Sequence, residues 1–354
     1  MKKPQETTCP DCGATQSSDL DRRQFIKSAG SAAVVGSSVL WAVPQATAAP
    51  TANSASETAV KALYESLSGE QKKVVAFDWD YEHPKRGLLR THVSNNWHIT
   101  KPGIASDFFT KQQQTLIHDA FKSLFTPEWY KKFLKQGQDD SGKPWGERHN
   151  IAIFGKPGDG KFEMVFTGRH MTIRADGNTE SHVAFGGPRV HGHAASGFNE
   201  KVGHPGNLFW HQAVEANKVY EMLSGKQRKQ ALVKKLPTEQ DVSFHGPDGP
   251  LPGIPIGELA GDQKEQVEQV LKSLAEPYRK EDRDEIHHSL KQQGGLDKCS
   301  LAFFQEGDLG EDQQWDCWRI EGPAFVWYFR GFPHVHIWIN IADDPAVELN
   351  SQQL

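Results

Sequence analysis

Four cysteines in 354 residues are too few for a disulfide scaffold, and neither sign of charge dominates: 40 basic residues face 45 acidic ones. The resulting net charge of -5 excludes the basic footprint that nucleic-acid-binding proteins carry. No block of like charge marks a membrane-surface patch. Local catalytic signatures are missing as well: the chain has no GxSxG elbow, P-loop or HExxH. Its glycine-rich stretch GKPGDGK, 155–161, lacks Walker spacing and reads as a hairpin turn on Asp159-Gly160. Beyond the N-terminus no apolar run is long enough for a stable membrane span. What is present is aromatic bulk, ten tryptophans and nineteen phenylalanines, which suffices for a large core, together with sixteen unevenly placed histidines.

The first 48 residues read as an address. Arg22 and Arg23, followed by Phe25, Ile26 and Lys27, precede a mild apolar stretch ending in Ala46-Thr47-Ala48. A paired-arginine start with a small-x-small end is the pattern of a twin-arginine signal, cleaved after Ala48 or, as the alternative, kept as an uncleaved anchor. The expected partner is the twin-arginine translocation machinery, and the expected location is periplasmic or extracellular. Cys9 and Cys12 form half a zinc knuckle with no second half, and fall within the discarded leader. Cys299 and Cys317 remain in an oxidising compartment, where a disulfide and two buried thiols both fit.

An internal duplication organises the rest. YESLSGEQKKVV, 64–75, returns as YEMLSGKQRKQA, 220–231, and IAIFG, 151–155, returns as LAFFQ, 301–305. The order of matched segments is kept, which implies two tandem repeats of about 150 residues, 60–200 and 215–345. Each repeat places helices before strands. The helices are expected at 63–75, 110–124 and 127–136, then at 219–235, 260–274 and 277–293. The strands are expected at 150–155, 162–167, 169–174 and 181–186, then at 300–305, 315–321, 324–329 and 334–341. Helices grouped ahead of strands imply an α+β fold with helices over one face of an antiparallel sheet, packed as a pseudo-dimer.

Chemistry concentrates in GFPHVHIWIN, 331–340. Alternation in a strand puts His334, His336, Trp338 and Asn340 on one face, so two imidazoles stand side by side. His170, in TGRHMTIR, is expected on a neighbouring strand and completes a three-histidine set of the kind that binds Zn, Cu or Fe. His98 and His182 are the next candidates: the repeat aligns His182 with His336, and His98 with His245. His191 and His193 form a second HxH whose intervening glycine suggests a loop. Trp97, Trp327, Tyr328 and Trp338 are expected to wall a substrate pocket, and Glu321 or Asp316 to orient a ligand imidazole. Shared ligation requires the imidazole nitrogens to converge to within about 4 Å.

These segments together resemble an uncharacterised family of bacterial and fungal exported proteins, a domain of unknown function. The resemblance rests on NNWHIT at 95–100, LSGEQKK at 67–73, FTGRHMTIR at 166–174 and RIEGPAFVWYFRGFPHVHIWIN at 319–340. The family pattern has Gly-His-His where this chain has Gly168-Arg169-His170, and it ends in an His-x-His strand. The resemblance implies that Trp97, His98, Gly168, His170, Gly322, His334 and His336 matter, and it implies no activity. Two functions remain open. One is a metal-dependent hydrolase or oxidoreductase acting on a small molecule. The other is a non-catalytic ligand-binding protein with an aromatic pocket and hydrogen-bonding histidines.

Overall fold

The structure, a computed structural model, describes residues 7–9, 14–16, 49–195, 206–308, 314–347 and 349. Most of the twin-arginine segment therefore lies outside the described residues. Among the described residues the fold is mixed α+β, with eight helices and one large sheet.

Helices α1 (Ala55–Ser66), α2 (Gly69–Val75), α3 (Lys111–Lys122) and α4 (Pro127–Ser141) accompany strands β1 (Ala76–Phe77), β2 (His149–Gly155), β3 (Phe162–Gly168), β4 (Met171–Ala175) and β5 (Arg189–His193). Helices α5 (Trp210–Met222), α6 (Gly225–Ala231), α7 (Gly261–Ala275) and α8 (Lys280–Gln292) accompany β6 (Leu232–Val233), β7 (Ile254–Pro255), β8 (Ser300–Phe304), β9 (Cys317–Gly322), β10 (Phe325–Arg330) and β11 (Val335–Ile341). The sheet runs β6-β8-β9-β10-β11-β5-β4-β3-β2-β1, with β7 also on β8. Its long strands pair antiparallel, and β1 and β6 add parallel to β2 and β8 at the two edges.

Two expected helices are each split. Ser68 and Ser224 turn out of helical geometry and accept hydrogen bonds from the backbone of Gln71 and Gln227, closing capping boxes that start α2 and α6 afresh. The glutamines reach further: Gln71 pairs with Gln113 of α3, and Gln227 with Gln263 of α7. Helix α4 opens on Thr126-Pro127, as proline at the first helical position favours.

Alternation divides the sheet cleanly. Ile151, Ile153, Phe166, Trp327, Ile337 and Ile339 face the helices and form the main core. The opposite face carries Tyr328, Trp338, Val326 and Phe304, covered by the segments holding Val93 and Val242. The His336 face is thus roofed by irregular chain, which is free to bring polar groups to it.

Two expectations are corrected, and one open choice is decided. Residues 181–186 form no strand, because left-handed backbone at His182 (φ 79°) and Phe185 (φ 63°) breaks extension. The strand is β5 instead, so the His191-Gly192-His193 run is extended and not a loop. Cys299 and Cys317 are both buried, and neither is in a disulfide. Cys299 lies against Gly322 at one end of β9 and Cys317 is at the other, about 17 Å away at strand rise, far beyond disulfide reach.

Candidate metal centre

The sequence brings three imidazoles together from two places. His334 and His336 come from the start of β11. His170 is the second residue of the two-residue link between β3 and β4, where Gly168 pairs with Met171. It is not on the strand itself, and it holds φ 54°. All three side chains are fully buried, and ligand atoms of His170, His334 and His336 lie within 4.8 Å of one another, a wider spread than the about 4 Å that shared ligation requires. The Nε2 atoms of His170 and His334 are 3.1 Å apart. Two ligands at about 2.1 Å from one tetrahedral ion stand about 3.4 Å apart, so this pair already has near-ligating separation.

Carboxylates fix the tautomers. Asp140, from the last turn of α4, accepts from His170 Nδ1 at 2.8 Å and from Gln136 Nε2 at 3.1 Å through Oδ2. Its Oδ1 accepts from the Ala194 backbone at 2.9 Å. Burial alone would raise the Asp140 pKa, but the charge and hydrogen bond of His170 outweigh it and hold the carboxyl well below its ordinary range. Glu239 accepts from His336 Nδ1 and from Asn95 Nδ2 on Oε1, and from Arg330 on Oε2. Burial, then the neighbouring His170 and Arg330, push the His336 pKa well down, so this ring is neutral at physiological pH. With Nδ1–H committed to a carboxylate, the neutral forms of His170 and His336 carry the lone pair on Nε2, which stands 3.1 Å from His334 Nε2 in the first ring and 3.4 Å from Asn95 Nδ2 in the second.

Gly192 explains the room for His336. The two residues face each other across β5 and β11. A Cβ on Gly192 would fall 2.2 Å from Val335 O and 3.0 Å from His336 Cδ2.

The other predicted residues are elsewhere. His98 is exposed. His182 is exposed and bonds Asp343 at 2.8 Å. Glu321 binds His245 at 2.7 Å and Arg319 at 3.0 Å, so the carboxylates that orient the triad are Asp140 and Glu239 instead. The sequence holds a signal for Asp140, since two consecutive acids at 139–140 close a helix where the dipole favours cations. Glu239 sits in an irregular segment and carries no comparable mark. NNWHIT reaches the site through Asn95, not His98.

A family profile for proteins of unknown function, DUF3500, matches residues 49–337, a span holding all three histidines. The chain belongs to this family. No curated protein and no solved structure matches it. The aromatic residues that this DUF3500 chain was expected to gather into one pocket are dispersed. Trp327 packs under the helices, Tyr328 and Trp338 lie in the cluster on the opposite face, and Trp97 belongs to a third cluster. Trp97 donates to Thr172 Oγ1 at 2.8 Å, anchoring the 95–100 segment over β4. In this member of DUF3500, Trp338 and Tyr328 are cross-strand partners on the His336 face and border the site from below.

Proposed function

We propose that this chain is an exported metalloprotein in which His170, His334 and His336 hold one transition-metal ion. The observation that carries the reading is the pairing of Asp140 and Glu239 with two ring Nδ1 atoms beside a third imidazole, the ligand atoms of the three rings lying within 4.8 Å of one another. Zn, Cu and Fe all suit three imidazoles with an open position. Bound there, the ion would supply Lewis-acid hydrolysis or redox chemistry on a small molecule. The protein's part is to keep His170 and His336 in one tautomer, to exclude bulk water by burial, and to hold both rings against rotation. Arg330 and Glu239, beside His336, have 12% and 10% side-chain exposure.

Export is supported by the family match beginning at residue 49, directly after Ala48 of the proposed cleavage site. One experiment tests location and metal together. Protein recovered from the periplasmic or extracellular fraction of its own host should begin at Ala49 and carry one equivalent of metal. The His334→Ala/His336→Ala variant should fold and carry none. A folded, metal-free wild-type protein rejects the metal. The 3.1 Å contact would then be an N–H···N hydrogen bond, and the protein would be a non-catalytic binder.

We also infer that the chain is a duplicated α+β unit. The matching capping boxes at Ser68 and Ser224, with Gln71–Gln113 and Gln227–Gln263 in like positions, support this. Gln71→Ala and Gln227→Ala should then lose similar stability, about 1 kcal/mol each. Chemical denaturation that finds a cost at one site alone counts against duplication.

A further inference from the structure

A second site lies at the β1 edge of the sheet, away from the histidines. A cleft of about 590 Å³ opens there between α1, α2, the segment after β1 and the β2–β3 turn. That volume falls in the ordinary range of small-molecule sites, about 300–1,000 Å³. Tyr64, Trp79 and Tyr81 line it as half-buried rings, and Lys72, Lys156 and Lys161 as ammonium groups. The two kinds of residue interleave. Lys72 Nζ stands 4.2 Å above the Tyr64 ring, and Lys161 Nζ stands 5.5 Å from the Trp79 ring. Arg90 lies 4.2 Å over Trp79 and is itself tied to Glu180 at 2.8 Å, so the indole is fixed before any ligand arrives. Among the described residues, Lys72 and Lys156 pair with no carboxylate, whereas Lys161 already stands 3.6 Å from Glu180. Asp78 and Asp159, both exposed, add hydrogen-bond acceptors to the wall.

We propose that this cleft binds an acidic saccharide. The rings offer flat apolar faces to the C–H surface of a sugar, the lysines pair with its carboxylates, and Asp78 and Asp159 accept from its hydroxyls. A neutral sugar would leave the ammonium groups unused. A nucleotide base would be clamped best between parallel rings, whereas Phe77 and Tyr81 are tilted by 41°. The cleft and the histidine triad lie at opposite ends of β3, which spans about 20 Å. Occupancy of one is therefore separable from the other.

The test is calorimetric titration of the full exported chain with a galacturonate trimer, a neutral glucose trimer and adenosine monophosphate as probes. The uronate should bind, more weakly as salt rises, and the other two should not. Trp79→Ala should weaken binding about tenfold. Lys156→Gln, an exposed substitution that leaves the fold alone, should weaken it several-fold. His334→Ala/His336→Ala should leave it unchanged, which separates this site from the metal reading. Uronate binding that is absent, matched by the neutral trimer, surpassed by the nucleotide or insensitive to Lys156→Gln overturns the proposal.

Discussion

His170 is an awkward residue for the position it holds. At φ 54° a side chain costs on the order of 1 kcal/mol that glycine would not. The outlay is offset by its contacts, since the backbone N–H donates to Asn95 O and Nδ1 donates to Asp140. The same logic covers Asp140, a carboxylate placed against the dipole at the end of α4 and held by three donors. Asp140→Asn and Glu239→Gln should each keep the fold and lower metal affinity about 10- to 100-fold, measured by competition with a chelator. Unchanged affinity in both would mean that the rings are oriented by something else. Much of this was readable. Alternation exposed the HxH pair, and His170 was expected on a strand beside it. Glu239 was hidden because it meets His336 across 97 residues, through a loop that has no periodicity to read.

At the scale of elements, patterning located α3, α7, α8 and the strands of both hairpins to within a few residues, but it began the first helix of each repeat at 63 and 219, where α1 and α5 begin at Ala55 and Trp210. It failed where glycine and left-handed residues cluster. Residues 181–187 have the composition of a strand but contain four positive-φ positions, so the extended segment falls later, on β5. The glycine in His191-Gly192-His193 misled for a related reason. It is there to let β11 bring His336 close, not to make a turn. Gly192→Ala should therefore cost about 1–3 kcal/mol by overpacking, and should also reduce metal occupancy by displacing His336. Gly69→Ala, whose added methyl meets nothing within 4 Å, is the matched control. If thermal denaturation and metal content treat the two substitutions alike, the close approach at β5–β11 is not what holds His336 in place.

Across the whole molecule, a buried charged layer joins helices to sheet. Arg279 grips Glu57 of α1 through two bonds of 2.8 and 2.9 Å and reaches Asp282 of α8 at 3.1 Å. Glu285 of α8 accepts from the Phe185 backbone at 3.0 Å. Asp176, just beyond β4, is buried beside them, and burial followed by its carboxylate neighbours raises its pKa to about 8 from an ordinary 3.8. Glu285 is raised for the same reasons. The native state therefore keeps protons that the unfolded chain has released, and stability falls as pH rises from about 4 to 8. Buried imidazoles act oppositely. Burial lowers His92 and His149 to about 4 and His191 to about 3, so their contribution is lost as pH falls from 6.5 toward those values. From about one unit above 6.5 upward these imidazoles are neutral in both states, and up to about pH 8 the carboxylates of the charged layer set the slope. Metal-stripped protein should lose thermal stability across that interval, and Asp176→Asn, which needs no proton to stay neutral, should flatten the loss. Equal slopes for wild type and variant would show that Asp176 is ionised in the fold, and that Arg189 and Arg279 neutralise the layer without a retained proton.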